Sequence, residues 1–488
     1  MLAIDIGTST TKAVVIAPDG ERLAAAAVRT PISQAADHAT VDASQLLRDV
    51  VGLVRQVAGE SPSIIGFGVT AQLGLVLVDA NLRPVADALL WADRRARAQR
   101  EQIVAAAGPD LLRRTGRRAE AEHLAPRLLW FKQREPVAFS RARWALSLKD
   151  FIVAHLTGSV ATDDTHASYS LLFDVRDREW SHELLVACGL DADLLPEPCA
   201  AGAAQGGIRP SVAQALGIEA GTPVSVGGPD GTVGALAAGA TIAGATVDIA
   251  GTTDVVLHTV AYPPSDLDPR VVLNAHLVPG LWTMGGPTGV TGGAIEWFSQ
   301  ALGYTSVEAA LEASQHVQVG VGSPRINTEM TGSRFPDWND NMRGSVTGIS
   351  LEHRSVDLIA AAEQGAGFIV RRGLEALQES GCKIDRVVVV GRVARVPGAV
   401  QRRADLWRLP VVTLSDEQAT LTGAAILAAC AAGLFATVQD AAAAMSKPGE
   451  EHTPTESNRA AIEEAFAEWT LQRECALMAA NASSAIIA

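Results

Sequence analysis

A strand–turn–strand pattern that occurs twice is the strongest constraint on the fold of this chain. Near the N-terminus, the apolar segment 2–6 leads into Gly7-Thr8-Ser9-Thr10-Thr11, and a second apolar segment follows over 12–17. The pattern returns at 246–259, where Gly251-Thr252-Thr253 separates two more apolar segments. Because the two Gly-Thr pairs lie half of the 488-residue chain apart, the sequence predicts an internal duplication.

The segments around the first turn predict a mixed α/β domain. A Pro18-Asp19-Gly20 turn and a third apolar segment, 22–28, extend the hairpin into a meander. Apolar residues between Leu46 and Val57 recur at helical spacing, and a further strand is predicted over 64–69. The pattern therefore indicates a sheet that is covered by a helix.

Composition sets the size of the protein and excludes several classes. The chain is 48% apolar and 19% charged, which is typical of globular proteins and, at this length, predicts two large domains. Its net charge of −14 opposes binding to nucleic acid. The longest weakly polar run, 423–436, is too short to span a membrane, and the N-terminus lacks the basic region of a signal peptide. We therefore predict a cytoplasmic protein with no membrane or nucleic-acid partner.

Two nucleotide-binding motifs and two cysteine-based designs are disfavoured. None of the five lysines follows a glycine, which excludes the P-loop. Gly66-Phe67-Gly68 is followed by a predicted strand and hairpin, whereas a Rossmann motif requires a helix there. The five cysteines show no C-x-x-C spacing, which argues against a disulfide framework and a structural zinc site.

The two Gly-Thr turns carry groups that bind anionic oxygens. Backbone N–H groups of a glycine-containing turn point into one concavity, and threonine and serine hydroxyls add donors. Two such hairpins that face each other would hold a polyphosphate. Asp5, at the end of the first strand, would then hold Mg²⁺ through water. The alternative is that Asp5 only satisfies amides of its own turn.

A candidate catalytic carboxylate lies at Asp230. The segment Gly227-Gly228-Pro229-Asp230-Gly231 reads as a strand that ends in a glycine turn and continues into a helix of small residues. At a helix N-terminus a carboxylate is expected to stay ionised, and it is then suited to act as the base in phosphoryl transfer to a hydroxyl. The alternative is a simple Pro-Asp-Gly turn, like the one at 18–20.

The order of these motifs resembles the FGGY carbohydrate kinases, the group of xylulokinase, glycerol kinase and gluconokinase. The resemblance runs through residues 1–435 and includes the segments Asp5–Lys12, 90–95, 125–130, 149–158, 227–230, 251–253, 291–297 and 332–336. It implies an α/β fold of duplicated actin-like ATPase (ribonuclease H-like) domains with an interdomain cleft. We expect a sugar-binding domain at 1–242, a nucleotide-binding domain at 243–435 and a helical tail at 436–488.

The resemblance also implies an activity and a role for each motif. The expected activity is ATP-dependent phosphorylation of a small sugar or polyol, most simply a xylulose-like ketopentose. The resemblance also suggests a homodimer, because members of this family often dimerise. Asp230 would be the catalytic base, and Asp5 and Asp230 would organise Mg²⁺. The other expected contacts are phosphate binding by Gly7, Thr8, Ser9, Thr10, Lys12, Gly251, Thr252 and Thr253; adenosine binding by Gly292, Gly391, Ala394 and Arg395; and sugar binding by Gln72, Leu73, Trp91, Asp93 and Asp230.

Two departures from the family pattern leave alternatives open. Leu73 replaces a histidine of the xylulokinase loop, and Gly231 stands where a polar residue often follows the catalytic aspartate, which weakens the assignment to D-xylulose. In the adenosine motif, Arg392 and Val393 replace two glycines. Either these side chains obstruct the nucleotide, or Arg392 points to solvent and the loop shifts slightly. The rival functions are a weakened or non-catalytic binding protein and an actin-like ATPase clasp.

Overall fold

The computed structural model describes residues 1–61, 63–318, 320, 322–416 and 418–487. Its strands are β1 Leu2–Ile6, β2 Thr10–Ile16, β3 Arg22–Arg29, β4 Ile32–Gln34, β5 Ala39–Val41, β6 Phe67–Ala71, β7 Gly74–Val78, β8 Ala88–Leu90, β9 Trp144–Leu146, β10 Ala161–Asp163, β11 Phe173–Asp174, β12 Glu179–Trp180, β13 Glu197–Cys199, β14 Ala204–Gly207, β15 Pro223–Ser225, β16 Gly228–Pro229, β17 Thr246–Ala250, β18 Asp254–Val260, β19 Val272–Ala275, β20 Trp282–Pro287, β21 Arg325–Asn327, β22 Ser345–Thr347, β23 Val387–Gly391, β24 Val411–Leu414 and β25 Pro448–His452.

The helices are distributed over both halves of the chain. They are α1 Ala43–Gly59, α2 Arg97–Ala107, α3 Leu111–Thr115, α4 Leu124–Arg134, α5 Pro136–Arg141, α6 Leu148–Thr157, α7 Asp164–Ser168, α8 His182–Cys188, α9 Pro210–Leu216, α10 Asp230–Ala237, α11 Gly292–Ala301, α12 Val307–Ser314, α13 Ser355–Glu379, α14 Pro397–Trp407, α15 Ala419–Ala431, α16 Val438–Met445 and α17 Arg459–Ile487. Within the described ranges, every helix is too short or too polar to cross a bilayer.

Two seven-stranded sheets repeat the same core arrangement. In the first, β1 pairs antiparallel with β2 and parallel with β6, and β6 is followed by the parallel strand β15. In the second, β17 pairs antiparallel with β18 and parallel with β23, and β23 is followed by the parallel strand β24. The predicted duplication is therefore confirmed at the level of strand order.

The inner faces of the two sheets meet around a small-residue helix, α15. This helix lies directly on β6, where a Cβ atom at Gly68 would fall 2.2 Å from the carbonyl oxygen of Ala424. It also contacts α10, where a Cβ atom at Gly423 would fall 1.9 Å from the carbonyl oxygen of Val233. Only glycine permits these approaches. The alanine-rich run that the sequence shows near 423–436 thus packs between the halves of the molecule, in one core with Ala3 and Val247.

The C-terminal tail, which was predicted to be helical, also contains one strand. Beyond residue 435 the chain forms α16 and α17, as expected, but β25 lies between them and pairs antiparallel with β24 at the edge of the second sheet. Because β25 is an exposed edge strand with the sequence Pro-Gly-Glu-Glu-His, it lacks the apolar alternation that identifies a strand. Trp469 anchors α17 and is 2% exposed.

Candidate active site

Strand β6 brings the two candidate carboxylates to one edge of the first sheet. Asp5 in β1 is aligned with Thr70, and the next pair joins Ile6 with Ala71. On the other side of β6, Gly228 and Pro229 of β16 pair with the same Thr70 and Ala71. Parallel strands end at a common edge, so the chain leaves β16 at Asp230 beside the end of β1.

Asp230 is the first residue of α10, and Pro229 is the N-cap. One carboxylate oxygen accepts a 2.7 Å hydrogen bond from the backbone N–H of Gly231. The Thr70 hydroxyl donates to the carbonyl oxygen of Gly228 at 2.8 Å and holds the preceding strand. Burial raises the pKa of Asp230 above its ordinary value, although the Gly231 hydrogen bond opposes the change. Loss of hydration is thus the larger of the two effects on the acidity of Asp230, and the ionised state expected from the helix terminus stays a prediction.

Asp5 has an unsatisfied carboxylate that faces the same region. Its Oδ1 atom is buried and has no hydrogen-bond partner in the described part of the chain. Burial, with a further contribution from the charge of Asp230, raises the pKa of Asp5 to about 7, while Lys12 opposes the shift. A buried, unpaired carboxylate beside a second carboxylate fits a hard divalent cation such as Mg²⁺, which takes oxygen ligands.

We expect Asp5→Asn to stabilise the ligand-free protein and to destroy Mg²⁺-dependent turnover. Between about pH 4 and pH 7 the unfolded chain has lost this proton while the folded chain keeps it, so the destabilisation by Asp5 grows over that range and is complete above pH 7. The variant should gain about 1–3 kcal/mol in free energy of unfolding at pH 8 and little at pH 4.5. Urea unfolding without metal or nucleotide measures both values, and a loss of stability at pH 8 would contradict this account.

The first Gly-Thr turn is tied to the loop after β6. The Gly7 N–H donates to the carbonyl oxygen of Thr10 at 3.2 Å, which closes the turn. The Thr8 hydroxyl donates to Oε1 of Gln72 at 3.1 Å and accepts from the indole N–H of Trp91 at 3.2 Å. Thr8 and Ser9 are exposed at the tip of the turn. Three of the predicted phosphate residues and two of the predicted sugar residues therefore form one connected group.

The second Gly-Thr turn lies against the start of α11. The Gly293 N–H donates to the carbonyl oxygen of Thr252 at 2.8 Å. A Cβ atom at Gly292 would fall 2.0 Å from the carbonyl oxygen of Gly251, so only glycine allows the helix to begin there. Gly251 and Thr252 are exposed, and Thr253 is half-buried. The predicted adenosine residue Gly292 is thus in contact with the second phosphate turn.

Arg403, a buried residue that the sequence did not indicate, connects the two strands on either side of this turn. Arg403, on α14, donates to Asp248 of β17 at 2.7 Å and to Asp254 of β18 at 3.2 Å. All three side chains are buried. Because the partners lie about 150 residues from Arg403 in sequence, no local pattern indicates the cluster.

The altered adenosine motif folds as a 3₁₀ helix, Arg392–Arg395, after β23. Val393 is 6% exposed and belongs to the core of the second half, so its side chain is directed away from the surface of the loop. Arg392 is half-exposed and pairs with Glu296 of α11 at 3.5 Å and with Glu308 of α12 at 3.8 Å. Its side chain is 49% exposed, which agrees with the alternative in which Arg392 points to solvent, and its guanidinium lies beside two carboxylates there.

The residues predicted to bind the sugar differ in their exposure and in whether a polar atom is left free to bind a ligand. The Gln72 side chain is 2% exposed, and its Nε2 donor has no partner among the described residues, so one donor remains for a ligand. Trp91 is 42% exposed, and its backbone N–H donates to the carbonyl oxygen of Leu73 at 2.9 Å. Asp93 is 1% exposed, and both of its oxygens accept hydrogen bonds from Arg95 or from the backbone of Ala39. Its carboxylate therefore holds the loop, and direct contact with a sugar stays a prediction without geometric support.

A second missed cluster lies behind Asp230. Lys149 is fully buried on α6, pairs with Asp150 and with Asp163 at 2.9 Å, and donates to the carbonyl oxygen of Val226 at 3.2 Å. Val226 directly precedes the Gly-Gly-Pro-Asp segment. The scarcity of lysine in the sequence, together with the adjacent Lys-Asp pair, was the available signal.

Comparisons with known proteins agree with this arrangement. Family models for the N-terminal and C-terminal domains of the FGGY family of carbohydrate kinases match residues 1–237 and 247–432. The xylulose kinase of Bacillus subtilis is 27% identical over 450 residues, which cover 91% of this chain and 90% of that protein. The gluconokinase of the same organism is 24% identical over 481 residues, which cover 94% and 92%.

A solved structure gives the same result for the fold. The crystal structure of xylulose kinase from Rhodospirillum rubrum matches with a TM-score of 0.89 at 22% identity and covers 98% of this chain and 99% of its own. The predicted fold class, a duplicated actin-like ATPase fold, is therefore confirmed. Because the two family models together span most of the sequence, the resemblance inferred from its motifs is confirmed as well. The chain belongs to the FGGY family of carbohydrate kinases, and its enzymatic class is that of a sugar kinase.

Proposed function

We propose that this kinase transfers the γ-phosphate of ATP to a hydroxyl of a small ketose of the xylulose type, with Asp230 as the base. The observation that carries the proposal is the convergence of Asp5 and Asp230 at the two edges of β6, next to the Thr8–Gln72–Trp91 group. A base, a candidate cation site, a phosphate turn and a polar sugar contact thus lie at one sheet edge. These are the parts that phosphoryl transfer to an alcohol requires.

In this proposal each group has one task. Asp230 accepts the proton of the attacking hydroxyl, and its raised pKa places its proton affinity nearer to neutral pH. The turns at Gly7–Thr10 and Gly251–Thr253, with Lys12, bind the phosphates of ATP. Mg²⁺, when held by Asp5 and Asp230, would neutralise charge on the transferred phosphoryl group. Gln72 offers its free amide donor to a sugar hydroxyl.

The nucleotide side of the cleft supports catalysis in spite of the altered adenosine motif. Val393 lies in the core and leaves the face of the loop to Gly391, Ala394 and Arg395. The pairs that Arg392 makes with Glu296 and Glu308 are long and half-exposed, and pairs of this kind contribute about 0–1 kcal/mol each. A nucleotide that needs this space displaces them at small cost. We therefore favour an active enzyme over a binding protein.

Removal of the Arg392 side chain should change nucleotide affinity only slightly. We expect Arg392→Ala to lower KM for ATP by up to about fivefold with kcat unchanged, because the nucleotide no longer has to displace the guanidinium from Glu296 and Glu308. Arg386→Ala is the matched control, since Arg386 is exposed at the other end of β23. The measurement is ATP saturation kinetics at fixed sugar. A rise of KM above tenfold would mean that Arg392 binds the nucleotide.

The preference of this kinase for a ketopentose can be tested separately from its kinase activity. The relatives named above include a xylulose kinase and a gluconokinase, and Leu73 removes a polar contact that the xylulokinase loop supplies. We still expect kcat/KM for D-xylulose to exceed that for D-gluconate and for glycerol, with a margin reduced at Leu73, because one missing polar contact lowers discrimination by about tenfold. A preference for gluconate or glycerol would overturn the substrate assignment and leave the kinase assignment intact.

Three further points stay predictions. Domain boundaries near 242 and 435 are supported by the segment between α10 and β17 and by the end of α15. The homodimer and the cytoplasmic location are carried from the family resemblance and from the N-terminal sequence. Size-exclusion chromatography with light scattering tests the homodimer, and fractionation of cells tests the cytoplasmic location.

A further inference from the structure

A cleft of about 520 Å³ lies between the two halves of the molecule and is lined by five arginines. Arg94, Arg97 and Arg100 come from the segment between β8 and the middle of α2, in the first half. Arg334 and Arg343 come from the loop between β21 and β22, in the second half. A space of this size holds a small metabolite. We call it the arginine cleft.

The arginine cleft adjoins the predicted sugar loop. Arg94 lies three residues after Trp91, whose backbone is bonded to Leu73. Glu122, which lines a smaller cavity together with Leu73, pairs with Arg94 and with Arg334 at 3.4 Å. Glu122 therefore joins the two halves of the chain at the border between the sugar loop and the cleft.

The acidic residues of the arginine cleft are already engaged by other arginines. Arg100 pairs with Glu101 at 2.8 Å, with Glu120 at 3.7 Å and with Asp340 at 3.9 Å. Burial and the nearby charge of Glu122 raise the pKa of Glu120, while Arg334 and Arg100 oppose the shift. Glu122 is likewise shared by two arginines. Together with Glu122, the acidic residues number four against the five arginines, so the arginine cleft keeps an excess of positive charge.

Two arginines, one from each half, have no carboxylate partner in the described ranges. Arg97 makes no hydrogen bond or ion pair there, and Arg343 donates only to the backbone carbonyl oxygens of Asp340 at 2.8 Å and Met342 at 2.6 Å. Two unneutralised guanidinium groups in one cleft match the charge of a phosphate dianion, and their planar donors suit its oxygens. We propose that the arginine cleft binds the phosphate group of a small metabolite, and that this group bridges Arg97 and Arg343.

A phosphate bound in the arginine cleft would change the electrostatic interaction between the two halves of the molecule. Without an anion, the like charges of Arg97 and Arg343 face each other in the cleft, and the pairs Arg334–Glu122 and Arg100–Asp340 oppose this repulsion between the halves. A bound phosphate would replace the repulsion by two charge-assisted hydrogen-bonded contacts and would stabilise the contact between the two halves. The site is separate from the turns at Gly7–Thr10 and Gly251–Thr253, so it can be occupied independently of ATP.

The test is isothermal titration of the full chain with inorganic phosphate at constant ionic strength, without nucleotide or sugar. We expect the double variant Arg97→Gln/Arg343→Gln to lose at least tenfold in affinity for one phosphate. Arg55→Gln/Arg386→Gln, which removes two exposed arginines elsewhere, should bind as the original chain does. Both altered pairs are exposed, so circular dichroism and thermal unfolding should be unchanged.

A second titration, with D-ribose 5-phosphate, distinguishes the two sources of the phosphate group. An affinity at least tenfold above that of inorganic phosphate identifies a sugar phosphate as the ligand, and equal affinities identify free phosphate. The proposal is overturned if the original chain binds neither compound, or if the Arg97/Arg343 double variant binds both as tightly as the original chain. In the last case, phosphate bound at the Gly-Thr turns accounts for the signal.

Discussion

Asp230→Asn should lower kcat for sugar-dependent ADP formation by about 10²–10⁴-fold while the affinity for the sugar changes little. The substitution keeps the size of the side chain and an oxygen that can accept from Gly231. It removes only the ability to take a proton from the attacking hydroxyl. Burial raises the pKa of Asp230. As the pH is lowered, kcat of the unsubstituted enzyme should therefore begin to fall at a higher pH than the ordinary pKa of an aspartate would give.

The chain contains its own control for this experiment. Asp19 lies in a second Pro-Asp-Gly sequence, at an exposed turn. Its carboxylate accepts a 3.0 Å hydrogen bond from the backbone N–H of Glu21. Asp19→Asn should leave kcat and KM unchanged. If Asp230→Asn keeps most of its kcat, Asp230 is only a turn residue and the base lies elsewhere.

Lys149→Met should destabilise the protein by about 3–5 kcal/mol. The substitution leaves Asp150 and Asp163 buried without their cation, and loss of one partner from a buried charge cluster carries a cost of this size. It also removes the donor to the carbonyl oxygen of Val226, so the segment that ends at Asp230 loses an anchor. We therefore expect a fall in kcat as well, measured under conditions in which the variant is folded.

Lys132→Met is the matched control for Lys149→Met. The Lys132 amine is exposed and donates only to the carbonyl oxygen of Gly189, at 2.7 Å. Urea unfolding of the two variants should show a loss of less than about 0.5 kcal/mol for Lys132→Met, as for most surface substitutions. Equal effects of the two substitutions would contradict the role given to the buried cluster.

The features that the sequence predicted well are local ones. A glycine-threonine turn between two apolar segments identifies a hairpin within about 15 residues, and both hairpins are present as β1–β2 and β17–β18. The segment before Asp230 likewise predicted a strand and a helix start, which the structure has at β16 and α10. That Asp5 and Asp230 share one site followed only from the family resemblance, and the pairing of β6 with both β1 and β16, which brings them to one edge, was not predicted.

The features that escaped prediction depend on distant partners. Arg392 pairs with residues of α11 and α12, Lys149 with a residue of β10, and Arg403 with two strands of the second sheet. A charged residue gives no sign in the sequence of whether a partner will meet it in the fold. The change in acidity of Asp230 belongs to the same class, because it arises from burial and not from the neighbouring residues in the chain.

We expect this chain to phosphorylate a small sugar in the cleft between the two Gly-Thr turns. The most direct test is a coupled assay of ADP release with Mg-ATP, run with and without each member of a panel of ketopentoses, polyols, aldonates and hexuloses. We predict ADP release that depends on a sugar and is strongest with a ketopentose. ADP release at the same rate with and without every sugar would contradict the claim and favour a simple ATPase.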